Sequence, residues 1–246
     1  MTLYSSASLA TSGLSLISIC NMFSNIARRY DLANHIISLG RDHFWRLALA
    51  RRLKILTPPG RLLDLATGTG DQIIAAKKIW PTLAVTGLDL TPAMLELAAP
   101  KFKNIPPPAP EMIVDNILAL SFDDQTFDSV SISFALRNIT QRRKLYQEVW
   151  RVLKPGGRFL VLEMFHDPQS PLAALISLYL KKMVPFLGGR LLSNEHEAYR
   201  YLTTSILTFP QPRELAAELT EAGFSTPAGQ IYTFNTVMLI WGERPK

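Results

Sequence analysis

Two rhythms of apolar and polar residues trade places along this chain. Short runs rich in apolar residues predict strands: the run that opens Arg61-Leu62-Leu63-Asp64-Leu65-Ala66-Thr67-Gly68-Thr69-Gly70-Asp71, then Leu83–Leu90 (LAVTGLDL), Glu111–Asp115, Phe127–Phe134 (FDSVSISF) and Arg158–Met164. Helical segments fall between them. One spans Gly70–Ile79 and stops at Pro81, and a second starts at Thr91 with Pro92 in its first turn. A third, Arg142–Leu153, is closed by Lys154-Pro155-Gly156-Gly157. Ahead of the first strand, two helices are predicted, Asn21 to about Ser38 and Asp42–Leu56, with Gly40 between them. The proline-rich Ile105–Pro110 must be extended and exposed. After the fifth strand comes an insertion, then a helix over Pro212–Ala222, then two strands in hairpin relation, Gly229–Phe234 and Thr236–Gly242. The pattern predicts an α/β fold, a doubly wound Rossmann-like sheet of seven strands with the last one antiparallel. Residues 1–20 read as a loosely ordered arm and 21–246 as a single domain, with a helical cap at 21–57 and a lid insertion at 167–209.

The first strand breaks into the turn Thr67-Gly68-Thr69-Gly70, where glycines let a ligand approach the backbone closely. The next strand delivers Asp89 to its carboxyl end about 20 residues on, where an acid can chelate a ribose diol. This is a nucleotide-type site. The dinucleotide fingerprint needs a third small residue three positions past its second glycine, and Ile73 stands there. Asp64, in the strand leading to the turn, would repel phosphates. A carboxylate in that place suits a cationic ligand without phosphate, and S-adenosylmethionine, with its sulfonium and ammonium, fits. A nicotinamide-dependent oxidoreductase remains the alternative from another enzyme class, and Ile73 weighs against it.

Charge and cysteine content narrow the field further. The chain has 246 residues, 26 Lys and Arg against 20 Asp and Glu, and 48% hydrophobic residues, ample for a buried core. Arg28, Arg29, Arg41, Arg46, Arg51, Arg52, Lys54 and Arg61 crowd the first quarter, which suits an anionic membrane surface, a nucleic acid or simply a solvated helix face. Cys20 is the only cysteine, and the four histidines have no zinc-motif spacing, so no metal site is expected. No signal peptide or membrane span is read, which predicts a cytoplasmic enzyme.

Four local motifs then carry a resemblance. They are Tyr30-Asp31-Leu32-Ala33-Asn34 continuing to Ser38, Gly40 and Trp45; Ser133-Phe134-Ala135-Leu136-Arg137-Asn138; Arg151-Val152-Leu153-Lys154-Pro155-Gly156-Gly157 through Leu162-Glu163; and Asn194 with Tyr199-Arg200-Tyr201-Leu202 and Ser205-Ile206. With the glycine turn, they resemble the class I S-adenosylmethionine-dependent methyltransferases and, within them, the ubiquinone/menaquinone biosynthesis C-methyltransferases. The resemblance covers roughly Asn21 to Glu243. Ala33, Asp42, Phe165, Glu195 and Glu197 depart from the family's usual methionine, histidine, serine and aspartates.

The resemblance implies C-methylation of a prenylated quinol, of demethylmenaquinol or benzoquinol type; another small aromatic or lipophilic acceptor stays open. Asp64, Gly68, Thr69, Gly70 and Asp89 are expected to hold the cofactor's methionine and ribose. Asn116 and Ile117 should frame the adenine, and Ser133 should end strand four beneath the methyl donor. Arg137 is the candidate cation for a substrate phenolate, since arginine stays protonated and cannot serve as the base itself. His166 is a candidate base. Tyr30 is expected at the cofactor, with Asn34, Asn138 and Tyr199 on the substrate and lid side, the cap and lid closing together. Leu172, Leu175, Ile176, Tyr179 and Met183 recur at helical spacing, interrupted by Lys181-Lys182 and ended by Pro185. That helix reads as a lid whose outer edge can touch lipid, at the inner face of a membrane. A nucleic-acid substrate is not expected, because strand four lacks the Asn/Asp-Pro-Pro-aromatic element. A homodimer stays open.

Overall fold

Asp64 has apolar neighbours on every side in sequence, and the fold takes them all inside. Leu62, Leu63 and Leu65 are fully buried in β1 (Arg61–Leu65), an interior strand of the sheet. The computed structural model describes residues 34–187 and 196–246, together with Asn21, Ser24, Ala27, Asp31 and Leu32. Residues 34–37 are helical and lead through a turn into α1 (Asp42–Arg52). Then follow β1, α2 (Asp71–Ile79), β2 (Ala84–Asp89), α3 (Pro92–Ala98), β3 (Glu111–Val114) and β4 (Phe127–Ser133). Next come α4 (Arg142–Val152), β5 (Leu153–Met164), the insertion helices α5 (Ala173–Leu178), α6 (Val184–Leu187) and α7 (His196–Leu207), α8 (Pro212–Glu221), β6 (Ser225–Tyr232) and β7 (Val237–Glu243).

The sheet order is β3-β2-β1-β4-β5-β7-β6, with β7 antiparallel to both neighbours. Seven strands with a reversed last one is the expected architecture. The order turns outward on either side of the β1–β4 pair, and the carboxyl ends of those strands are where such sheets bind ligands. One apolar layer, including Val130, Phe159, Leu145 and Leu215, fills the α4/α8 side; another, including Leu62, Ile73, Leu160 and Trp45, fills the α1/α2 side. A third, smaller cluster gathers Ile37, Leu180, Val184, Tyr199 and Ile206 around the insertion.

Several boundaries differ from the sequence reading. α1 ends at Arg52, because Leu53 turns to extended backbone and packs inward. β5 begins at Leu153, since the Lys154-Pro155-Gly156-Gly157 stretch stays in the ladder through a bulge against β4. β6 starts at Ser225 instead of Gly229. Pro185 does not end the insertion helix but lies inside α6. A wide π turn, Tyr179–Met183, precedes it, the distortion expected where proline can neither donate nor admit the carbonyl one turn back.

Candidate active site

The centre of the site is a carboxylate that the strand pattern forces inside. Asp64 lies in β1 opposite Gly87 of β2 and Ser131 of β4, and only 1% of it is exposed. Ser131 Oγ donates to Oδ1 at 2.6 Å and Thr67 Oγ1 donates to Oδ2 at 2.6 Å. Burial raises its pKa from 3.8 to about 6, against the lowering effect of those two hydrogen bonds and of the Arg46 charge; Asp89 adds a smaller push upward. A buried carboxylate near the end of β1, raised in this way, gains from a cation placed against it.

The turn that follows needs left-handed backbone. Gly68 and Gly70 sit at φ +57° and +81°. At Gly70 a Cβ would also meet Phe102 Cζ at 2.5 Å, whereas at Gly68 it would meet nothing within 4 Å. Gly68 therefore faces open space over a bare backbone, the approach a ligand requires. The Gly68 N–H donates to Asp89 Oδ2 at 2.8 Å and the Thr91 N–H donates to Oδ1 at 2.8 Å. Each Asp89 oxygen keeps acceptor capacity for a hydroxyl. Burial raises the Asp89 pKa above the ordinary carboxylate value, opposed by the backbone donors of Thr91 and Gly68.

A small, solvent-open cleft lies beneath this turn, bounded by Asp64, Gly68, Thr69, Gln72, Ser133 and Arg46. Arg46 comes from α1, is 7% exposed, and lays its guanidinium over the Phe134 ring at 5.2 Å. The cleft thus sets a cation across from an anion, the charge pattern of a zwitterionic amino acid. Sequence reasoning counted Arg46 as one charge in a basic patch; Arg28 and Arg29 of that patch lie outside the described residues, and several of the others have separate partners. Lys54 pairs with Glu243 at 2.6 Å, and the Arg52 and Arg61 guanidinium groups lie over Trp241 and Phe127. The one available signal was Trp45, beside Arg46, in the first motif. Gln72 was also missed; its amide reaches the Arg46 carbonyl at 3.4 Å and receives the Ser133 hydroxyl at 3.3 Å.

The leading segment reaches the same loop. Asp31 accepts from Thr69 Oγ1 at 2.5 Å and from Lys101 Nζ at 2.6 Å, and Lys101 also donates to Asp71 at 2.7 Å. Tyr30 lies outside the described residues. Asn34 is half-buried in the helical turn that follows. At the end of β3, the Asn116 side-chain carbonyl accepts from the Leu118 N–H at 2.9 Å, while Ile117 is 9% exposed and packs into the main core.

Beyond β4 and β5 lie the residues that the sequence placed on the substrate side. Arg137, in a 3₁₀ turn (Leu136–Asn138), donates from one terminal nitrogen to Glu163 Oε1 at 2.5 Å and to the Phe134 carbonyl at 2.6 Å. Its own N–H reaches Glu163 Oε2 at 3.2 Å. Glu163 is fully buried and Arg137 is 8% exposed, so this ion pair belongs to the interior. His166 meets Ser177 of α5 through Nε2 at 3.2 Å. Asn138 Oδ1 accepts from Tyr201 Oη at 2.9 Å, which ties α7 to the strand-four end. Tyr199, one turn portion away on α7, is 4% exposed in the insertion's own cluster.

Four buried side-chain nitrogens lack a partner among the described residues: Arg46 Nε, Arg137 Nε, His166 Nδ1 and Arg158 Nε. Folded proteins rarely leave such groups unmet. Three of the four lie around the carboxyl ends of β4 and β5. Arg158 lies at the opposite end of β5.

Comparisons with known proteins bear on this geometry. Residues 14–244 match the ubiE/COQ5 methyltransferase family. The chain is 41% identical over 224 residues to the demethylmenaquinone methyltransferase of Thermus thermophilus, covering 91% of this chain and 100% of that one. It is 38% identical over 229 residues to the ubiquinone/menaquinone biosynthesis C-methyltransferase of Geobacter sulfurreducens, covering 92% and 88%. Among solved structures, it resembles phosphoethanolamine N-methyltransferase 2 of Haemonchus contortus bound to phosphomonomethylethanolamine and S-adenosylhomocysteine. That match has a TM-score of 0.67 at 15% identity and covers 94% of this chain and 61% of the other. A possible histamine N-methyltransferase of Thermotoga maritima matches with a TM-score of 0.63 at 17% identity, over 92% and 99%. At such identity the structural likeness speaks to the fold alone.

Proposed function

The chain belongs to the ubiE/COQ5 methyltransferase family, and from that premise we propose that it methylates a ring carbon of a prenylated quinol, of demethylmenaquinol or benzoquinol type, working at the inner face of a membrane. It is an S-adenosylmethionine-dependent methyltransferase of quinone biosynthesis. The observation that carries the site reading is the cleft under the glycine turn, with Asp64 and Arg46 across from each other and the tied Asp89 carboxylate beside it. That set fits an amino acid joined to a ribose and offers nothing for a pyrophosphate.

When bound, S-adenosylmethionine supplies an electrophilic methyl group on a sulfonium that leaves readily. Asp64 would take the ammonium and Arg46 the carboxylate, while Asp89 would accept the ribose hydroxyls. Thr69 and Gly70 shape the loop, and Asn116 with Ile117 borders the adenine. Ser133, fixed by Gln72, stands at the floor where the methyl donor meets its acceptor. The protein's remaining task is to make a ring carbon nucleophilic by holding a neighbouring hydroxyl as its phenolate. Arg137, oriented by Glu163, keeps its Nε free for that oxygen. His166, steadied by Ser177, has Nδ1 open to take the proton. Once the ring carbon carries the methyl group, its own hydrogen would leave as a proton to solvent, returning the ring to an aromatic phenolate, and His166 would give back the proton it took to that oxygen. Residues 21–57 act as a cap and 167–209 as a lid, excluding water while the phenolate forms, with Tyr30, Asn34, Asn138 and Tyr199 on the covering side.

The test is incubation with methyl-labelled cofactor and a panel of naphthoquinols and benzoquinols. Label is expected on a ring carbon of one ring class. Label on oxygen, or no transfer to any quinol by folded protein, would refute the reading. Calorimetry with NADH should give nothing tighter than millimolar, and a micromolar value would restore the oxidoreductase alternative.

A further inference from the structure

Among the described residues, the segment from α5 to α6 has an inner apolar face that is covered and an outer one that carries exposed leucines. Leu180 and Val184 turn inward, 3% and 0% exposed, against Ile37, Tyr199 and Ile206. On the outside, Leu175 and Leu178 are 62% and 54% exposed. A helix lying on a water-facing surface normally carries polar residues there. The polar residues on this outside are Lys181 and Lys182, both exposed, and no acidic residue occurs from Pro168 to Phe186. Leu39, 78% exposed at a left-handed turn, adds to the same edge; the Tyr179 hydroxyl donates to the Ile37 carbonyl at 2.9 Å, joining that turn to the insertion. Among the described residues, no helix is long and apolar enough to cross a membrane.

We propose that this outer face is a docking surface for an anionic lipid bilayer, and the proposal rests on the reading of the acceptor as a prenylated quinol. The leucines sink into the boundary between headgroups and acyl chains, and the lysines extend their stems to reach lipid phosphates. A protein partner would more commonly be matched by charges of both signs, whereas this stretch carries only positive ones. The location also serves the reaction. Ser177, on α5, contacts His166 just past the end of β5, so the lipid-facing side lies about one helix diameter, roughly 10 Å, from the catalytic strand ends. A prenyl tail can stay in the bilayer while its ring enters the site.

Vesicle flotation of the full chain tests this, using phosphatidylcholine alone and phosphatidylcholine doped with about a third phosphatidylglycerol. The chain should float with the anionic vesicles and release as salt rises. Leu175→Ser/Leu178→Ser and, separately, Lys181→Glu/Lys182→Glu should each lower vesicle affinity about tenfold or more. The lysine variant leaves apolar packing untouched, so it remains informative if the serine variant unfolds. Both should retain cofactor affinity and turnover of a short-tailed quinol in detergent. Undiminished flotation of either folded variant, or equal wild-type binding to neutral vesicles, would overturn the proposal. A change in oligomeric state by sedimentation velocity with vesicle binding intact would also overturn it, assigning the face to a second copy of the chain. If the wild type floats yet turns over no short-tailed quinol, the substrate reading fails instead of the surface.

Discussion

Acidification should weaken cofactor binding in a way that Asp64 dictates. In the free protein this carboxyl is raised to about 6, mainly because the strand buries it. An ammonium placed against it stabilises the charged form, so its pKa falls toward or below the ordinary 3.8 on binding. The proton held by the free protein must then be released. Affinity is therefore level above pH of about 7 and drops as pH falls through about 6, by up to tenfold per unit. Two units of difference correspond to about 3 kcal/mol, a hundredfold at most. Arg46 opposes the protonated form and Asp89 favours it; Asp89, also raised, contributes in the same direction when its hydroxyl partners arrive. Stability of the free protein has the complementary sign. A carboxyl raised on folding makes the native state bind more protons, so this contribution is present below about pH 4 and lost as pH rises through about 6. Calorimetry across this range, in two buffers of different ionisation enthalpy, reads both affinity and proton release. Asp64→Asn should bind weakly throughout and lose most of the pH dependence. A wild-type affinity that stays flat from pH 5 to 7, or an undiminished slope in the variant, would refute the assignment of Asp64 to the cofactor's ammonium.

Arg46→Met should weaken S-adenosylmethionine by about 1.5–3 kcal/mol while hardly changing the affinity of its decarboxylated analogue, and equal losses for both ligands would remove Arg46 from the carboxylate. Asp89→Ala should cost about 2–4 kcal/mol of cofactor affinity, checked by the same titration on folded protein. Glu163→Gln leaves the buried Arg137 guanidinium without its counter-charge, so it should destabilise the fold by about 3 kcal/mol and lower kcat far more than cofactor affinity; denaturant melts and steady-state kinetics measure the two effects. Tyr201→Phe removes the tie from α7 to Asn138, and limited proteolysis should cut the insertion faster at a stability cost of about 1 kcal/mol.

Local sequence determined the strands, the glycine turn and the two acids at its edges, because each is written within a few neighbouring residues. Leu62, Leu63 and Leu65 can only be a buried strand, Gly68 and Gly70 take left-handed backbone without strain, and Ile73 excludes a pyrophosphate fingerprint. Tertiary structure decided what the charged residues do. Arg46, Asp31 and Glu163 look alike in sequence to any solvated charge, yet one stacks on Phe134, one reaches Thr69 and one fixes Arg137. Each of those partners lies on another element, and no spacing along the chain encodes a meeting across 26 to 88 positions. The same holds for the outer side of α5 and α6. Its hydrophobic period announced a packed helix, but which leucines were left uncovered was settled only when Ile37, Tyr199 and Ile206 filled the inner face.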